Sequence, residues 1–414
     1  MPRSPSAPDE VLTALLRAAE PGLMASAGPR FFGFVTGGAL PAATAADVLT
    51  TAWDQCAFNP VLAPAGIAAE RAAGEWLKQL LGIPGGASVG FVTGGQAANT
   101  VSLAAARHHL LAAAGWDVER DGLAGAPRLR VVASEERHAT IDRALRLLGF
   151  GTAVVEPVAA APDGAIDVAD LERVLARGGG APIVCLQAGN VNTGACDDLR
   201  AACELTHRHR GWAHVDGAFG LWAAASPATA ALVDGAELAD SWACDGHKWL
   251  NVPYDCGFAF CAHPDSHAAA VSYSASYLVG SGGGVRGGAD FTLESSRRAR
   301  GFTVWAALRE LGRDGVAELV ERCRALARRF AGRLAEGGAE IVNDVVLNQV
   351  LAGFGDDGRT DRVVAAVQRE GTCWLGGTTW RGRRLLRISV SNHATTEADV
   401  DASAAAILRL AARE

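Results

Sequence analysis

The chain has 414 residues, of which 49% are hydrophobic and 20% are charged, and its formal net charge is −7. This length favours two or three packed domains with a large core. Lysine and arginine are mixed among aspartate and glutamate, and no apolar run reaches about 18 residues. The composition therefore argues against a nucleic-acid partner and against a membrane span.

The N-terminal residues lead into a polar, amphipathic stretch without the apolar core of a signal peptide, which argues against export. Nine cysteines are scattered singly, without a Cys-x-x-Cys pair. The histidines do not pair with these cysteines at the spacing of metal ligands. We therefore expect reduced thiols in a cytoplasmic protein, and no metal site.

The first elements in chain order are one or two predicted helices, with the aromatic cluster Phe31-Phe-Gly-Phe34 between them. From about residue 86 to residue 262, short apolar runs alternate with alanine-rich helical stretches. The runs are Val89–Val92, Leu129–Ala133, Ala153–Val155, Ile183–Leu186, Ala213–Val215 and Gly257–Cys261. Apolar strands separated by helices predict a mainly parallel sheet covered on both faces. Ligands of such sheets bind beyond the carboxyl ends of the strands.

A long helical pattern follows Ser295 and runs to about Glu336, and a small α/β segment comes after it. The segment contains predicted strands near 348–354 and 385–390 and a predicted helix near 361–370. A capping box at Thr396–Asp399 opens the last predicted helix.

These changes of pattern divide the chain into three regions. Residues 1–55 form an N-terminal helical segment, residues 56–295 a large domain, and residues 296–414 a small C-terminal domain. The large domain contains all the strand-end motifs considered next.

Three polar or glycine-rich segments follow predicted strands. Thr93–Asn99 joins a strand to a helix, where backbone N–H groups and the helix N-terminus suit a phosphate. His138 follows the next strand, where its ring could stack on a flat ligand. Gly189–Gly194 follows another strand, where a polar side chain could contact a ring oxygen. Taken singly, each segment is equally an ordinary turn or solvated loop.

Asp216 and Lys248 complete this set. Asp216 ends an apolar strand, where a carboxylate is costly to bury unless it is paired. Lys248 lies in a His-Lys-Trp turn further along the chain. Such an acid holds a pyridinium nitrogen protonated, and such a lysine holds an aldehyde cofactor as a Schiff base. A surface acid and a surface lysine are the ordinary alternatives, but the order of all five segments favours a pyridoxal phosphate (PLP) enzyme.

On these motifs the chain resembles the group II PLP decarboxylases, the family of aromatic amino-acid and glutamate decarboxylases, from about Pro29 to the C-terminal helix. The resemblance implies an α/β protein of fold type I. Such a protein has a large domain around a mainly parallel seven-stranded sheet and a small C-terminal α/β domain. It also implies a homodimer with its sites at the subunit interface.

The resemblance assigns roles around the cofactor ring. Lys248 becomes the Schiff-base lysine and Asp216 the partner of the pyridinium nitrogen. His138 matches the histidine that stacks on the ring, and Ala218 matches the small residue packed against it. His247 belongs to the same His-Lys-Trp signature and joins the cofactor-binding set.

The resemblance is looser at the phosphate and the ring hydroxyl. Gly95 and Gln96 fall where the family binds phosphate, with Gln96 in place of a serine or threonine. Asn190 and Val191 replace a Thr-Thr pair that contacts the ring hydroxyl, and Asn192 is the candidate substitute for that contact.

Substrate-binding residues are also implied by the resemblance. Phe31 and Phe34 belong to a segment that lines the substrate pocket, and Phe58 to one that reaches into the neighbouring subunit's site. These aromatic side chains favour an aromatic or bulky apolar amino acid. Arg387 matches an arginine that holds a substrate carboxylate in the glutamate branch, and it favours an acidic side chain or is simply structural.

Tyr277 falls where the decarboxylases carry a loop tyrosine that protonates the α-carbon, with Tyr273 as a nearby rival. Phenylalanine at this position marks the oxidative aldehyde synthases. The sequence therefore predicts decarboxylation of an L-amino acid to its amine and CO2. The alternatives are another PLP reaction (lyase, aldehyde synthase or aminotransferase), a non-catalytic binding protein, or a substrate carrier.

Overall fold

The computed structural model describes residues 1–273 and 287–414 of the chain. Within these ranges the α-helices are α1 (Pro8–Ala19), α2 (Pro41–Trp53), α3 (Pro64–Leu81), α4 (Gly95–Ala113), α5 (Val118–Asp121), α6 (Ala139–Leu147), α7 (Val168–Leu175), α8 (Leu199–Arg208), α9 (Pro264–Val271), α10 (Gly301–Glu336), α11 (Asp357–Glu370) and α12 (Glu397–Ala411). The strands are β1 (Ser88–Val92), β2 (Leu129–Ser134), β3 (Val155–Val158), β4 (Ala181–Gln187), β5 (Trp212–Asp216), β6 (Ser241–Asp245), β7 (Gly257–Cys261), β8 (Glu340–Ile341), β9 (Gln349–Gly353), β10 (Gly376–Trp380) and β11 (Arg383–Ser389).

The large sheet has seven strands in the order β1-β7-β6-β5-β4-β2-β3. β7 runs antiparallel to both of its neighbours, and β6, β5, β4, β2 and β3 pair in parallel. The predicted seven-stranded, mainly parallel sheet is thereby confirmed. Because the parallel strands point the same way, the motifs that follow them meet at one edge of the sheet.

Two strands differ from the apolar runs in the sequence. β3 spans Val155–Val158, later than the predicted Ala153–Val155, and it tolerates Pro157 because it lies at the edge of the sheet. β6 was not among the predicted runs. It is fully buried, but it begins with Ser241 and ends with Asp245, so its burial depends on polar partners that hydrophobicity does not reveal.

Both faces of the large sheet are covered, as expected for parallel strands. The largest fully buried side chains include Trp212, Trp222, Trp242 and Trp249. The adjacent strands β4 and β5 are buried along almost their whole length. This burial fixes the register of the strands and therefore the position of the residues at their ends.

The small sheet has the order β10-β11-β9-β8 and is antiparallel throughout its described pairs. Helices α10 and α11 pack against it, and α12 packs against these two helices. Thr396 caps α12 through the predicted capping box with Asp399. The helix α10 is interrupted at Gly312, where φ is 63°. The division at residues 55 and 295 stays a prediction.

The N-terminal helix α1 packs poorly on the rest of the described chain. Measured against the described residues, none of its side chains is buried, and its apolar residues face outward. The residues concerned are Val11, Leu12, Leu15 and Leu16, which are 52–70% exposed. In residues 1–273 and 287–414, no helix has the length and apolar character that crossing a bilayer requires. All nine cysteines lie in these ranges and are free thiols.

Candidate active site

A cavity of about 300 Å³ opens at the carboxyl ends of β4, β5 and β6, beside the turn from β1 to α4. Seven residues singled out from the sequence line it together. They are Gly95, Gln96, His138, Asp216, Ala218, His247 and Lys248. Long-range pairing of parallel strands thus gathers residues that lie more than 150 positions apart in the chain.

The turn before α4 is shaped by close approach of the neighbouring strand. A Cβ on Gly94 would lie 2.8 Å from the ring of His247, and one on Gly95 would lie 3.0 Å from Oδ2 of Asp245. Gly94 also has a φ of 152°, which side chains rarely adopt. The first N–H groups of α4 have no partner within the helix, so this turn can receive an anion.

Asp216 ends β5 almost completely buried. Its Oδ2 accepts a hydrogen bond from Nδ2 of Asn99 (3.0 Å), and its Oδ1 accepts one from the backbone N–H of Ala218 (3.3 Å). Gln187 of β4 is its register partner and also lines the cavity. These donors offset the cost of burying a carboxylate.

Lys248 faces a carboxylate that sequence reasoning had missed. Its Nζ lies 3.1 Å from Oδ2 of Asp245, whose side chain is only 2% exposed. Burial acts to lower the pKa of Lys248, but Asp245 and Asp216 outweigh it, and the pKa is raised. The sequence does have an acid, Asp245, three residues before Lys248. Only the fold shows that the two side chains point to the same side and form an ion pair.

The chain contains just two lysines, Lys78 and Lys248. Lys78 lies in α3, where its Nζ donates to the carbonyl oxygens of Gly85 (2.6 Å) and Ala87 (3.1 Å) and pairs with Glu75. This structural use of Lys78 leaves Lys248 as the lysine of the cavity.

His138 is held at the start of α6 by its own capping contact. Its Nδ1 accepts from the backbone N–H of Thr140 (3.3 Å) and pairs with Oγ1 of Thr140 (2.8 Å). Burial lowers the pKa of His138, the charges of Lys248 and Arg387 lower it further, and Asp216 only partly opposes them. The ring is therefore neutral at pH 7 and presents its other nitrogen, Nε2, as a donor.

His247 is fixed on three sides. Its Nδ1 accepts from the backbone N–H of Cys256 (3.1 Å), and its Nε2 lies 3.6 Å from Oδ1 of Asp245. Its ring stacks on Tyr254 with a centroid distance of 4.4 Å. Burial lowers the pKa of His247 despite the nearby Asp245.

The polar residues expected at the phosphate and ring hydroxyl have other partners. Nε2 of Gln96 donates to the carbonyl oxygen of Thr140 (3.2 Å), although Gln96 lines the cavity. Oδ1 of Asn190 accepts from the backbone N–H of Asn192 (2.9 Å), and Oδ1 of Asn192 accepts from Thr378 (2.8 Å). Val191 is the member of that turn in the cavity wall. Cofactor contacts by Gln96, Asn190 and Asn192 stay predictions.

The aromatic residues expected in the substrate pocket form a cluster with a residue of the small domain. Phe31 and Phe34 stack on Trp374, with centroid distances of 4.7 and 5.2 Å. Phe34 is 66% exposed, and Phe58 is half-buried in a separate loop after α2. Their part in substrate binding stays a prediction, which for Phe58 requires the neighbouring subunit.

Arg387 lies on β11 with its guanidinium directed to the turn after β4. Nη1 donates to the carbonyl oxygen of Val191 (3.3 Å), and burial lowers the pKa of Arg387. In the described part of the chain no carboxylate pairs with it. Tyr277, the predicted proton donor, lies outside the described residues, and its role stays a prediction.

Asn251 joins the lysine turn to both ends of the chain. Oδ1 of Asn251 accepts from the backbone N–H groups of Gly38 (2.6 Å) and His393 (2.8 Å). Its Nδ2 donates to the carbonyl oxygen of Ser391 (2.9 Å). A Cβ on Gly37 would overlap the backbone carbonyl of Lys248, so the N-terminal segment lies directly against this turn.

A family model described as the pyridoxal-dependent decarboxylase conserved domain matches residues 1–352. The chain therefore belongs to the pyridoxal-dependent decarboxylase family. It is 29% identical to tryptophan decarboxylase 1 of Oryza sativa subsp. japonica, over 94% of this chain and 82% of that one. It is 27% identical to L-2,4-diaminobutyrate decarboxylase of Acinetobacter baumannii, over 74% of this chain and 63% of that one.

Among solved structures, the chain is similar to Oryza sativa TDC with PLP and tryptamine. The TM-score is 0.92 at 26% identity, and the match covers 100% of this chain and 90% of that one. The predictions of fold type I, of PLP as the cofactor and of a carboxy-lyase acting on an amino acid are thereby confirmed. The site fits this cofactor through a glycine turn that a Cβ would fill, a buried carboxylate and a single lysine.

Proposed function

We propose that this protein decarboxylates an L-amino acid with an aromatic or bulky apolar side chain to its amine and CO2. The observation that carries the proposal is the placement of Lys248, Asp216 and the Gly94–Gly95 turn around one cavity of about 300 Å³. Each group supplies one function that a PLP decarboxylase requires, namely attachment, ring protonation and phosphate binding.

Bound PLP supplies a protonated pyridine ring that accepts the electron pair left on the α-carbon when CO2 departs. Asp216 keeps the proton on the pyridine nitrogen, because a carboxylate already held by Asn99 and Ala218 needs no reorientation. Lys248 is the attachment point. The neutral ring of His138 and the small side chain of Ala218 hold the ring of the cofactor.

The phosphate group is assigned to the turn before α4. The N–H groups at Gly95 and Gln96, which have no partner within the helix, and the positive end of the helix dipole favour a dianion there. His247 lies against the same turn, 2.8 Å from where a Cβ of Gly94 would be. Val191 and Phe219 make the adjoining wall apolar and exclude water from the reacting centre.

Two observations bear on the substrate. The aromatic cluster of Phe31, Phe34 and Trp374 and the similarity to a tryptophan decarboxylase support an aromatic side chain. Arg387 supports a second candidate, an acidic amino acid, because its half-buried guanidinium has no carboxylate partner among the described residues. A guanidinium of this kind suits bidentate recognition of a carboxylate.

The working form is proposed to be a homodimer located in the cytoplasm. Helix α1 has an outward apolar face, and α2 also exposes apolar side chains, namely Val48, Leu49 and Trp53, which are 47–64% exposed. A second copy of the chain is the occupant that would bury these residues, and it would bring Phe58 of one subunit towards the site of the other. Nine free cysteines suit a reducing compartment.

The test begins with the absorption spectrum of the purified protein and its change with borohydride, followed by mass analysis of pooled L-amino acids after incubation. Because the chain has two lysines, borohydride should fix the cofactor's mass on the peptide with Lys248 and leave the peptide with Lys78 unmodified. The amino acid that is converted to a product lighter by CO2 is the substrate.

Lys248→Ala should abolish both the visible band and turnover, and Lys78→Met serves as the matched control because it keeps Lys248. Cofactor on Lys78, or turnover by Lys248→Ala, would overturn the assignment. A visible band with ammonia or amino-group transfer, and without amine, would establish one of the other PLP reactions instead.

A further inference from the structure

A chain of buried hydrogen bonds runs behind Asp216 and includes residues to which the sequence alone assigned no role. Nε1 of Trp212 donates to Oγ of Ser241 (2.9 Å), and Oγ of Ser241 contacts Nδ1 of His214 (2.9 Å). Nε2 of His214 contacts Oδ1 of Asn99 (2.9 Å), and Asn99 donates to Asp216. We call these five residues the buried polar chain.

Each proton in this chain can be placed by starting from Asp216. A carboxylate only accepts, so Asn99 must turn its Nδ2 to Asp216 and its Oδ1 to His214. His214 must then carry its proton on Nε2. Burial lowers the pKa of His214 to about 4, so its ring is neutral at pH 7 and Nδ1 accepts from the hydroxyl of Ser241. The indole N–H of Trp212 can only donate, and Oγ of Ser241 accepts from it. Every hydrogen bond in the chain therefore has one donor and one acceptor.

Asn99 also links Asp216 to His138. The second hydrogen of its Nδ2 is donated to Oγ1 of Thr140 (3.0 Å), and that hydroxyl in turn faces Nδ1 of His138 at 2.8 Å. Since Thr140 accepts from Asn99, its own hydrogen is directed to His138. Both amide hydrogens and the carbonyl oxygen of Asn99 are therefore used, and the amide has one favourable orientation.

We propose that Asn99 is a positioning residue that, anchored by neutral His214, holds the Asp216 carboxylate aimed into the cavity and so strengthens the enzyme's binding of its cofactor. The physical reason is that a hydrogen bond donated to the charged form of an acid favours that form, most of all in a site of low dielectric constant. This inference rests on the role proposed above for Asp216.

Other titratable groups around Asp216 come from every element packed against it. They are His214 on β5, His138 before α6, Asp245 on β6, Lys248 after β6, and the buried thiols of Cys185 on β4 and Cys244 on β6. Burial raises the pKa of both thiols, so they stay uncharged near pH 7. Asn99 itself does not titrate, and its substitution by aspartate would add one new titrating group to this set.

The first test needs no cofactor. Nitrogen NMR of the apoprotein labelled at histidine reports which ring nitrogen carries the proton. His214 is expected as the neutral Nε2–H form from pH 6 to pH 8, and His214→Gln identifies its signal. A charged His214, or one protonated on Nδ1 at pH 7, overturns the proposal because Asn99 would then lose its anchor.

The second test measures the dissociation constant of PLP from pH 6 to pH 9. Asn99→Leu should weaken binding roughly 10- to 100-fold at every pH, the usual effect of losing a hydrogen bond to a charged group. Asn99→Asp should bind within about threefold of the wild type at pH 6 and lose roughly tenfold or more by pH 8.5, because two adjacent carboxyl groups must share a proton.

Ser102→Ala is the matched control, since Ser102 is equally buried on α4 and its hydroxyl has no partner among the described residues. It should leave binding at the wild-type level. A binding profile of Asn99→Asp parallel to that of the wild type would overturn the inference, even if Asn99→Leu proves too unstable to measure. A wild type without a borohydride-stabilised adduct would instead overturn the proposed function, so the two failures are distinct.

Discussion

Nζ of Lys248 lies 3.1 Å from Oδ2 of Asp245, and this ion pair is enclosed by the protein. The other carboxylate oxygen, Oδ1 of Asp245, is buried without a hydrogen-bond partner among the described residues. Breaking a buried pair by removing one partner leaves the other charge uncompensated. The pair therefore controls the protonation of the amine that must react with the cofactor.

Replacing Asp245 by asparagine should lower the pKa of Lys248. Burial lowers this pKa, and in the variant Asp216 remains to oppose it while Asp245 does not. The titration midpoint of Lys248 should therefore lie at a lower pH than in the wild type. The measurement is the rate of acetylation of Lys248 in the apoprotein against pH, read by peptide mass. Glu75→Gln, which removes the partner of Lys78, should leave the Lys248 profile unchanged. An unmoved midpoint in Asp245→Asn would contradict this account.

Replacing Arg387 by leucine should separate the two substrate candidates. If an acidic side chain is bound, its kcat/KM should fall roughly 100-fold or more, since a buried charged hydrogen bond is lost. The value for an aromatic amino acid should change less than about tenfold. The measurement is competition between the two classes in one reaction. Arg384→Leu, exposed on the same strand and paired with Asp361, is the control. Equal losses for both classes would exclude a selective role.

Tyr277→Phe should redirect the product. Without the phenolic proton donor expected in this loop, the amine yield should fall, and oxygen uptake, ammonia and aldehyde should appear. The measurement pairs an oxygen electrode with mass analysis of the products. Tyr273→Phe is the control because Tyr273 is the nearby tyrosine, and it is 52% exposed. An unchanged amine yield from Tyr277→Phe, with loss in Tyr273→Phe, would transfer the role to Tyr273.

Asp240 should make stability depend on pH through His207. Burial acts to raise the pKa of Asp240, but hydrogen bonds from His207 and His263 outweigh it and bring the pKa to about 2. The bond to Asp240 raises the pKa of His207. A base with a raised pKa stabilises the fold fully below its unfolded value and loses this contribution as pH rises through the folded value.

Asp240→Asn should accordingly lower Tm more at pH 6 than at pH 9. The free energy of unfolding lost in Asp240→Asn should be larger at pH 6 than at pH 9 by on the order of 0.5 kcal/mol. The difference is small because His207 is partly exposed and its pairing with Asp240 is screened by solvent. Differential scanning fluorimetry at the two pH values checks it. His209→Gln, on a histidine just after the same helix, should give no such difference. An equal loss of Tm at both pH values would argue against charge pairing between Asp240 and His207.

The fold was largely predictable because continuous apolar runs mark parallel strands. β7 was predicted residue for residue, and β1, β2, β4 and β5 within two residues at each end. β6 was missed because Ser241 and Asp245 break its apolar character, and their partners lie elsewhere in the chain. Ser241 is satisfied by Trp212 and His214, which is visible only once β5 and β6 are paired.

Asp216 and Lys248 could be singled out from the sequence, and the structure places both in the wall of one cavity, while their roles stay predictions. Asn99 was not predictable, since it meets Asp216 across 117 positions of sequence and an asparagine early in a helix has many ordinary uses. Gln96 and Asn190 illustrate the converse. Their positions suggest contact with the cofactor, but their side chains are hydrogen-bonded to neighbouring backbone groups, a competition typical of short polar residues in turns.

The contacts of Asn251 have a consequence for how the protein is made. The shape of the lysine turn depends on Gly38, Ser391 and His393, so the ribosome must pass residue 393 before that turn can close. A nascent chain that already contains Asp216 and Lys248 still lacks two of these partners of Asn251. The lysine turn is therefore expected to reach its final shape only late in synthesis, after the C-terminal region has been added.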